Sequence, residues 1–163
     1  MKITKKERKL AIQEAKVNRI EDALLHDIES GAMPPLYFPV KHHFSEGIYC
    51  REIFIAAGHY VGGVKHKISS YFIVAYGTLE IIGAHKNKIV TAPYLSRNEP
   101  GQKNGVFAHT DVLIYQFTPN PTNSTDLFTV YSEVVENPNE VQGMPGNKQD
   151  LAYKRYLLCH SEQ

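Results

Sequence analysis

The chain has 163 residues and a formal net charge of +1, long enough for one compact domain with a real core. A balance this close to neutral argues against a dedicated nucleic-acid binder, which would carry a basic excess. No apolar run approaches the ~20 residues that span a bilayer, and the basic start MKITKKERK leads into a helical pattern instead of the apolar centre of a signal peptide. Cys50 and Cys159 lie far apart, and without an export signal they read as free thiols in a reducing compartment.

The spacing predicts one helix over residues 4–30. Thr4 and Glu7 form a capping-box pair. Leu10, Val17, Ile20, Leu24 and Ile28 make an apolar stripe, and Gly31 ends it. Its first half is basic: Lys2, Lys5, Lys6, Arg8, Lys9, Lys16 and Arg19 against Glu7 and Glu14. That surplus reads as a solvated face, or as a docking arm for an acidic partner surface or nucleic acid. No aromatics are interleaved with it, which counts against single-strand binding. Pro34, Pro35 and Pro39 then predict an extended connector over residues 32–46.

From Gly47 the period becomes two. Arg51, Ile53 and Ile55 alternate with Glu52, Phe54 and Ala56, and further strands are expected over 61–68, 71–76, 78–83, 88–95, 106–108 and 112–118. Short strands without intervening helices indicate an antiparallel sandwich or barrel. After Thr118, any of Ser124, Thr125 or Asp126 would cap a short helix bearing Leu127, Val130, Tyr131 and Val134, although the β-branched residues there suit a strand as well. A Gly/Pro/Asn-rich stretch precedes the last apolar patch, LAYKRYLLC, expected to pack on the barrel or on another subunit. The expected layout is thus an N-terminal amphipathic helix (1–31), a connector (32–46), a barrel domain (47–136) and a C-terminal extension (137–163).

Several pieces of the middle of the chain carry a family likeness: REIFIAAG, His66 with Lys67, Gly77 before an acidic β-segment, APYLS, PGQK-x-G, AHTDV and NPTNSTDL. Through them residues 49–127 resemble small cupin-like proteins found in bacteriophage genomes and related bacterial sequences. The resemblance implies a mainly β fold, a small antiparallel β-barrel or jelly roll. Cupins hold Fe, Mn, Zn or Ni with two His and a Glu from a first motif and a His from a second, leaving an open position for substrate. On that pattern the first motif falls at Gly63, His66 and Ser70, and the second at Gln102, Lys103 and Asn104. The acid and histidine that such phage-type relatives often carry just after His66 appear as Ser69 and Ser70. One imidazole does not meet the requirement of about three protein ligands, so no metal or other cofactor is expected and His66 is the only candidate ligand.

Other chemistry is thinly supported. His59, His85 and His109 fall at turns, and no nucleophile elbow or phosphate cradle is present. Glu52 and Glu80 would make a carboxylate pair only if their strands brought them together. A pocket lined by His66, Ser70, Tyr76, Tyr94, Asn104 and Tyr115 would offer polar tips and aromatic faces to a small molecule. The expected function is a non-enzymatic, phage-type structural or interaction protein that self-associates or joins other phage proteins, in the host cytoplasm or the virion. The alternatives are a barrel that sequesters a metabolite or nucleotide, and a metal-dependent enzyme.

Overall fold

The computed structural model describes residues 2–160. Residue 1 and residues 161–163, the outer ends of the expected N-terminal segment and C-terminal extension, lie outside the described residues.

Helix α1 runs from Lys5 to Glu29, and its first turn is closed by the expected capping box: the Glu7 N–H donates to the Thr4 hydroxyl while the Thr4 N–H donates to the Glu7 carboxylate at 2.8 Å. Gly31, at φ +77°, follows the helix end. Val17 is fully buried, and Leu10, Ile20, Leu24 and Ile28 are half-buried along the same stripe. The helix lies across its own barrel. Gln13 donates to the Ile82 carbonyl, Lys16 reaches Asn87, and Glu14 pairs with Lys65.

Nine strands follow among the described residues: β1 (Val40–Ser45), β2 (Gly47–Ile55), β3 (Tyr60–Gly62), β4 (Ser70–Tyr76), β5 (Thr78–Ile81), β6 (Lys88–Thr91), β7 (Tyr94–Asn98), β8 (Gly105–Ala108) and β9 (Val112–Asn120). All their pairings are antiparallel. One sheet has the order β1-β2-β9-β4-β7 and the other β3-β8-β5-β6. The fold is mainly antiparallel β, a cupin-like barrel of two facing sheets with an N-terminal helix. Ile53, Ile55, Phe72, Val74, Leu79, Val112 and Ile114 form the core between the sheets.

Three expectations about the strands change. The extended connector contains β1, whose Val40 stands opposite Ile53 in an antiparallel hairpin with β2; the prolines confine only the residues before Val40. The segment expected at 61–68 leaves the ladder after Gly62, and a single bridge from His66 to Val135 ties it down again. The segment expected at 88–95 divides at Pro93, which has no N–H to donate, into β6 and β7 on different sheets. The helix-or-strand ambiguity after Thr118 resolves as helix α2 (Leu127–Val134). Asp126 caps it by accepting from the Thr129 N–H at 2.8 Å, and Val130, Tyr131 and Val134 are buried beside Tyr49. The tail forms α3 (Lys148–His160), which buries Ala152 and stacks Tyr153 on Tyr37. No helix of the described residues is long and apolar enough to cross a membrane.

Candidate functional site

Alternation along β2 turns Tyr49, Arg51, Ile53 and Ile55 into the barrel. The β2–β9 register sets Arg51 opposite Gln116, and the β9–β4 register sets Gln116 opposite Phe72. These three share one row across the larger sheet. The row crosses a cavity of about 530 Å³, within the range of small-molecule sites. Ile53, Ile55, Phe72, Val106 and Ile114 supply its apolar floor; Arg51, His66, Asn98, Asn104 and Gln116 form a polar belt. Asn18 and Glu21 of α1, Lys103 and the segment 137–149 frame the mouth.

Apart from Arg51, the belt is one hydrogen-bonded chain. Gln116 Nε2 donates to His66 Nε2 at 3.2 Å, and His66 Nδ1 faces the Ser70 hydroxyl at 3.4 Å. Asn98 donates to Ser70 Oγ at 3.0 Å and accepts from Asn104 at 2.6 Å. Asn104 in turn accepts from Gln102 and from Gln13 of α1. With the Gln116 amide so oriented, the His66 proton sits on Nδ1 and the ring is neutral. Burial pulls the His66 pKa down to about 4, because a charged imidazole loses its hydration there without gaining an anion.

At the mouth, Lys103 is buried and its ammonium donates to Glu21 at 2.7 Å and to Asn18 at 2.8 Å, with Glu140 at 3.7 Å. Burial raises the Glu21 carboxyl despite this cation. Gly62 lies beneath it, and a Cβ there would displace the Glu21 side chain. Behind the belt, the Tyr49 and Tyr131 hydroxyls meet at 2.6 Å and His42 Nδ1 lies 2.8 Å from the Tyr49 hydroxyl. Burial drives the Tyr49 pKa upward.

Of the residues expected to line a pocket, His66 and Asn104 do so, and Ser70 is buried directly behind His66. The three tyrosines lie elsewhere. Tyr76 would share the inward parity of Phe72 and Val74, but the ladder shifts register between Val74 and Tyr76 and leaves the ring 63% exposed. Tyr115 has the opposite parity to Ile114 and Gln116 and faces out. Tyr94 packs on the edge of the core under Lys88, whose ammonium is 4.8 Å from the ring centre. Sequence reading missed Arg51, Asn98, Gln116, Glu21 and Lys103 as site residues. For Arg51 a signal existed, since it alternates in phase with Ile53 and Ile55.

The donors in the belt do not suit the metal that a cupin fold implies. His66 is surrounded by Ser70, Gln116 and Asn98, and no three His, Cys, Asp or Glu side chains converge among the described residues. His59 is held by the Ala56 and Ala57 carbonyls, and His109 pairs with Glu80 at 3.1 Å. Glu52 and Glu80 sit on different sheets, Glu52 engaged by Lys41 and His43.

Fold and site together define a cupin-like barrel with an amide-rich belt around one neutral imidazole. No family model and no curated protein matches the chain. Solved structures resemble it in fold. A cupin 2 conserved barrel domain protein from Salinispora arenicola is 14% identical over 53% of this chain and 78% of its own, with a TM-score of 0.47. A salicylate 1,2-dioxygenase from Pseudaminobacter salicylatoxidans is 11% identical over 69% of this chain, with a TM-score of 0.50. This chain spans about a third of that enzyme's length, 34%. The likeness concerns the fold alone.

Proposed function

We propose that the protein binds a small organic molecule inside its barrel without catalysing its conversion. The observation that supports this reading is a cavity of about 530 Å³ with an apolar floor and convergent polar groups at one level. A thermal-shift screen with nucleotides, sugars and small organic acids tests it, because a ligand that binds only the folded state raises the melting temperature by mass action. At least one class should raise it in a concentration-dependent way. A flat response from all three would remove the proposal.

A second reading, a phage-type structural or interaction protein, is favoured by the outer face of the larger sheet. There Phe54, Tyr71, Leu95 and Phe117 are exposed beside Ile73, Leu113 and Tyr115. Antiparallel sheets with one solvated face normally alternate to polar residues on that side, and contiguous apolar patches mark association sites. A second copy of the chain is the partner that would cover this face. Light scattering after size exclusion should give a dimer, and Phe117→Glu should make it a monomer. A monomeric wild type at tens of micromolar would end this reading.

A further inference from the structure

Within the polar belt each amide nitrogen already has a partner. The amides of Gln116, Asn98, Asn104, Gln102 and Gln13 donate to one another, to His66, to Ser70 or to the Ile82 carbonyl. Lys103 is engaged by Glu21, Asn18 and Glu140. Arg51 is different. Its guanidinium is permanently charged, its Nε is buried without a hydrogen-bond partner, and among the described residues no ion pair includes it. The Tyr131 ring lies 6.0 Å from the guanidinium carbon, a contact that leaves the fork of N–H donors free. His66 beside it is neutral, so the belt carries one uncompensated positive charge. That charge sits between the apolar floor and the mouth.

Arg51 is half-buried with its Nε fully covered, and a partly desolvated charge without a partner gains from an anion that pairs with it. On the ligand-binding reading given above, we infer that Arg51 anchors the anionic head group of the ligand, a carboxylate or a phosphate monoester. The ligand's apolar body then lies along Ile53, Ile55, Phe72, Val106 and Ile114. The guanidinium suits either head group because its planar fork donates two parallel hydrogen bonds to a pair of anionic oxygens. The amide nitrogens are neutral and already tied to one another, to His66, to Ser70 or to a carbonyl, so the head group is recognised chiefly by charge and fork geometry and the body by shape. Neutral sugars and alcohols match this site poorly, since they leave the guanidinium unpaired.

Calorimetric titration of the full chain with hexanoate, hexyl phosphate and hexanol tests the assignment, because the three share one apolar body and differ in head group. At least one of the two anions should bind about tenfold or more tighter than hexanol, and which one distinguishes carboxylate from phosphate recognition. Arg51→Gln should bring that anion down to the affinity of hexanol while hexanol itself is unchanged. Arg51→Lys should recover only part of the preference, since it keeps the charge and loses the fork. The ligand-free Arg51→Gln protein should melt close to the wild-type temperature, because Arg51 holds no ion pair that the change would break. Hexanol binding as tightly as both anions, or an anion preference that survives Arg51→Gln, would overturn the role of Arg51 and leave a binding cavity in place. Failure of all three compounds to bind would overturn this inference, while the ligand-binding reading itself stands or falls on the thermal-shift screen.

Discussion

Acidification should destabilise this protein through His66. The ring is 4% exposed and its pKa is pulled down to about 4 from an ordinary 6.5. The unfolded chain therefore takes up a proton at a pH where the folded chain does not. The contribution is fully present above pH 6.5 and is lost as pH falls toward 4. A shift of this size corresponds to about 3 kcal/mol in total, of which about 2 kcal/mol disappears between pH 7 and pH 5. Other groups add to the acid sensitivity, since Glu52 and Glu80 are held below the usual carboxylate range by hydrogen bonds to His43 and to Asn87 respectively. A comparison with His66→Gln isolates the imidazole, because glutamine retains an amide for Gln116 and Ser70 but does not titrate. Urea unfolding of both proteins at pH 7 and pH 5 should show the wild type losing about 2 kcal/mol more than the variant. Equal losses in the two proteins, or an NMR titration placing His66 near 6.5, would refute the burial argument.

Glu21→Gln should cost about 3 kcal/mol, because it leaves the buried Lys103 ammonium with only Asn18 and the more distant Glu140. The melting temperature should fall by roughly 10 °C for a chain of this size, and adding Lys103→Met should restore most of it. Asp126→Ala removes the cap of α2 and its bond to the Thr129 hydroxyl, and a loss of about 1 kcal/mol in urea unfolding is expected. Gly77→Ala should lose about 2 kcal/mol or more by the same measurement. The residue sits at φ +86° and its new Cβ would meet the Asp111 carbonyl.

What was legible in the sequence was what local chemistry decides. The helix start follows from Thr4 and Glu7 reaching three residues along the chain, and its end from Gly31. The alternation of Arg51, Ile53 and Ile55 likewise gives β2 and its inward face. Features that depend on distant partners were not legible. Whether residues 40–45 form a strand depends on the hairpin with β2, and the prolines nearby point the other way. The outward turn of Tyr76 depends on a register shift against β9, and one residue of slip inverts every side chain beyond it. Resemblance found His66, Ser70 and Asn104. Asn98 lies 28 residues from Ser70 and Gln116 lies 50 from His66, and no spacing rule joins them.

The position of α1 gives the belt its rigidity. Gln13 from the helix closes the amide chain on Asn104, and Asn18 and Glu21, one and two turns further on, hold Lys103 at the mouth. Helical geometry places residues 13, 17 and 21 on one face, so a single docking surface seals the core with Val17 while fixing both polar ends of the cavity. Lifting the helix would strand the Lys103 ammonium, open the amide chain and expose Val17 at once. These losses fall on the same motion, and they make α1 part of the cavity wall. The basic residues of its first two turns, Lys5, Arg8 and Lys9, remain on the exposed side.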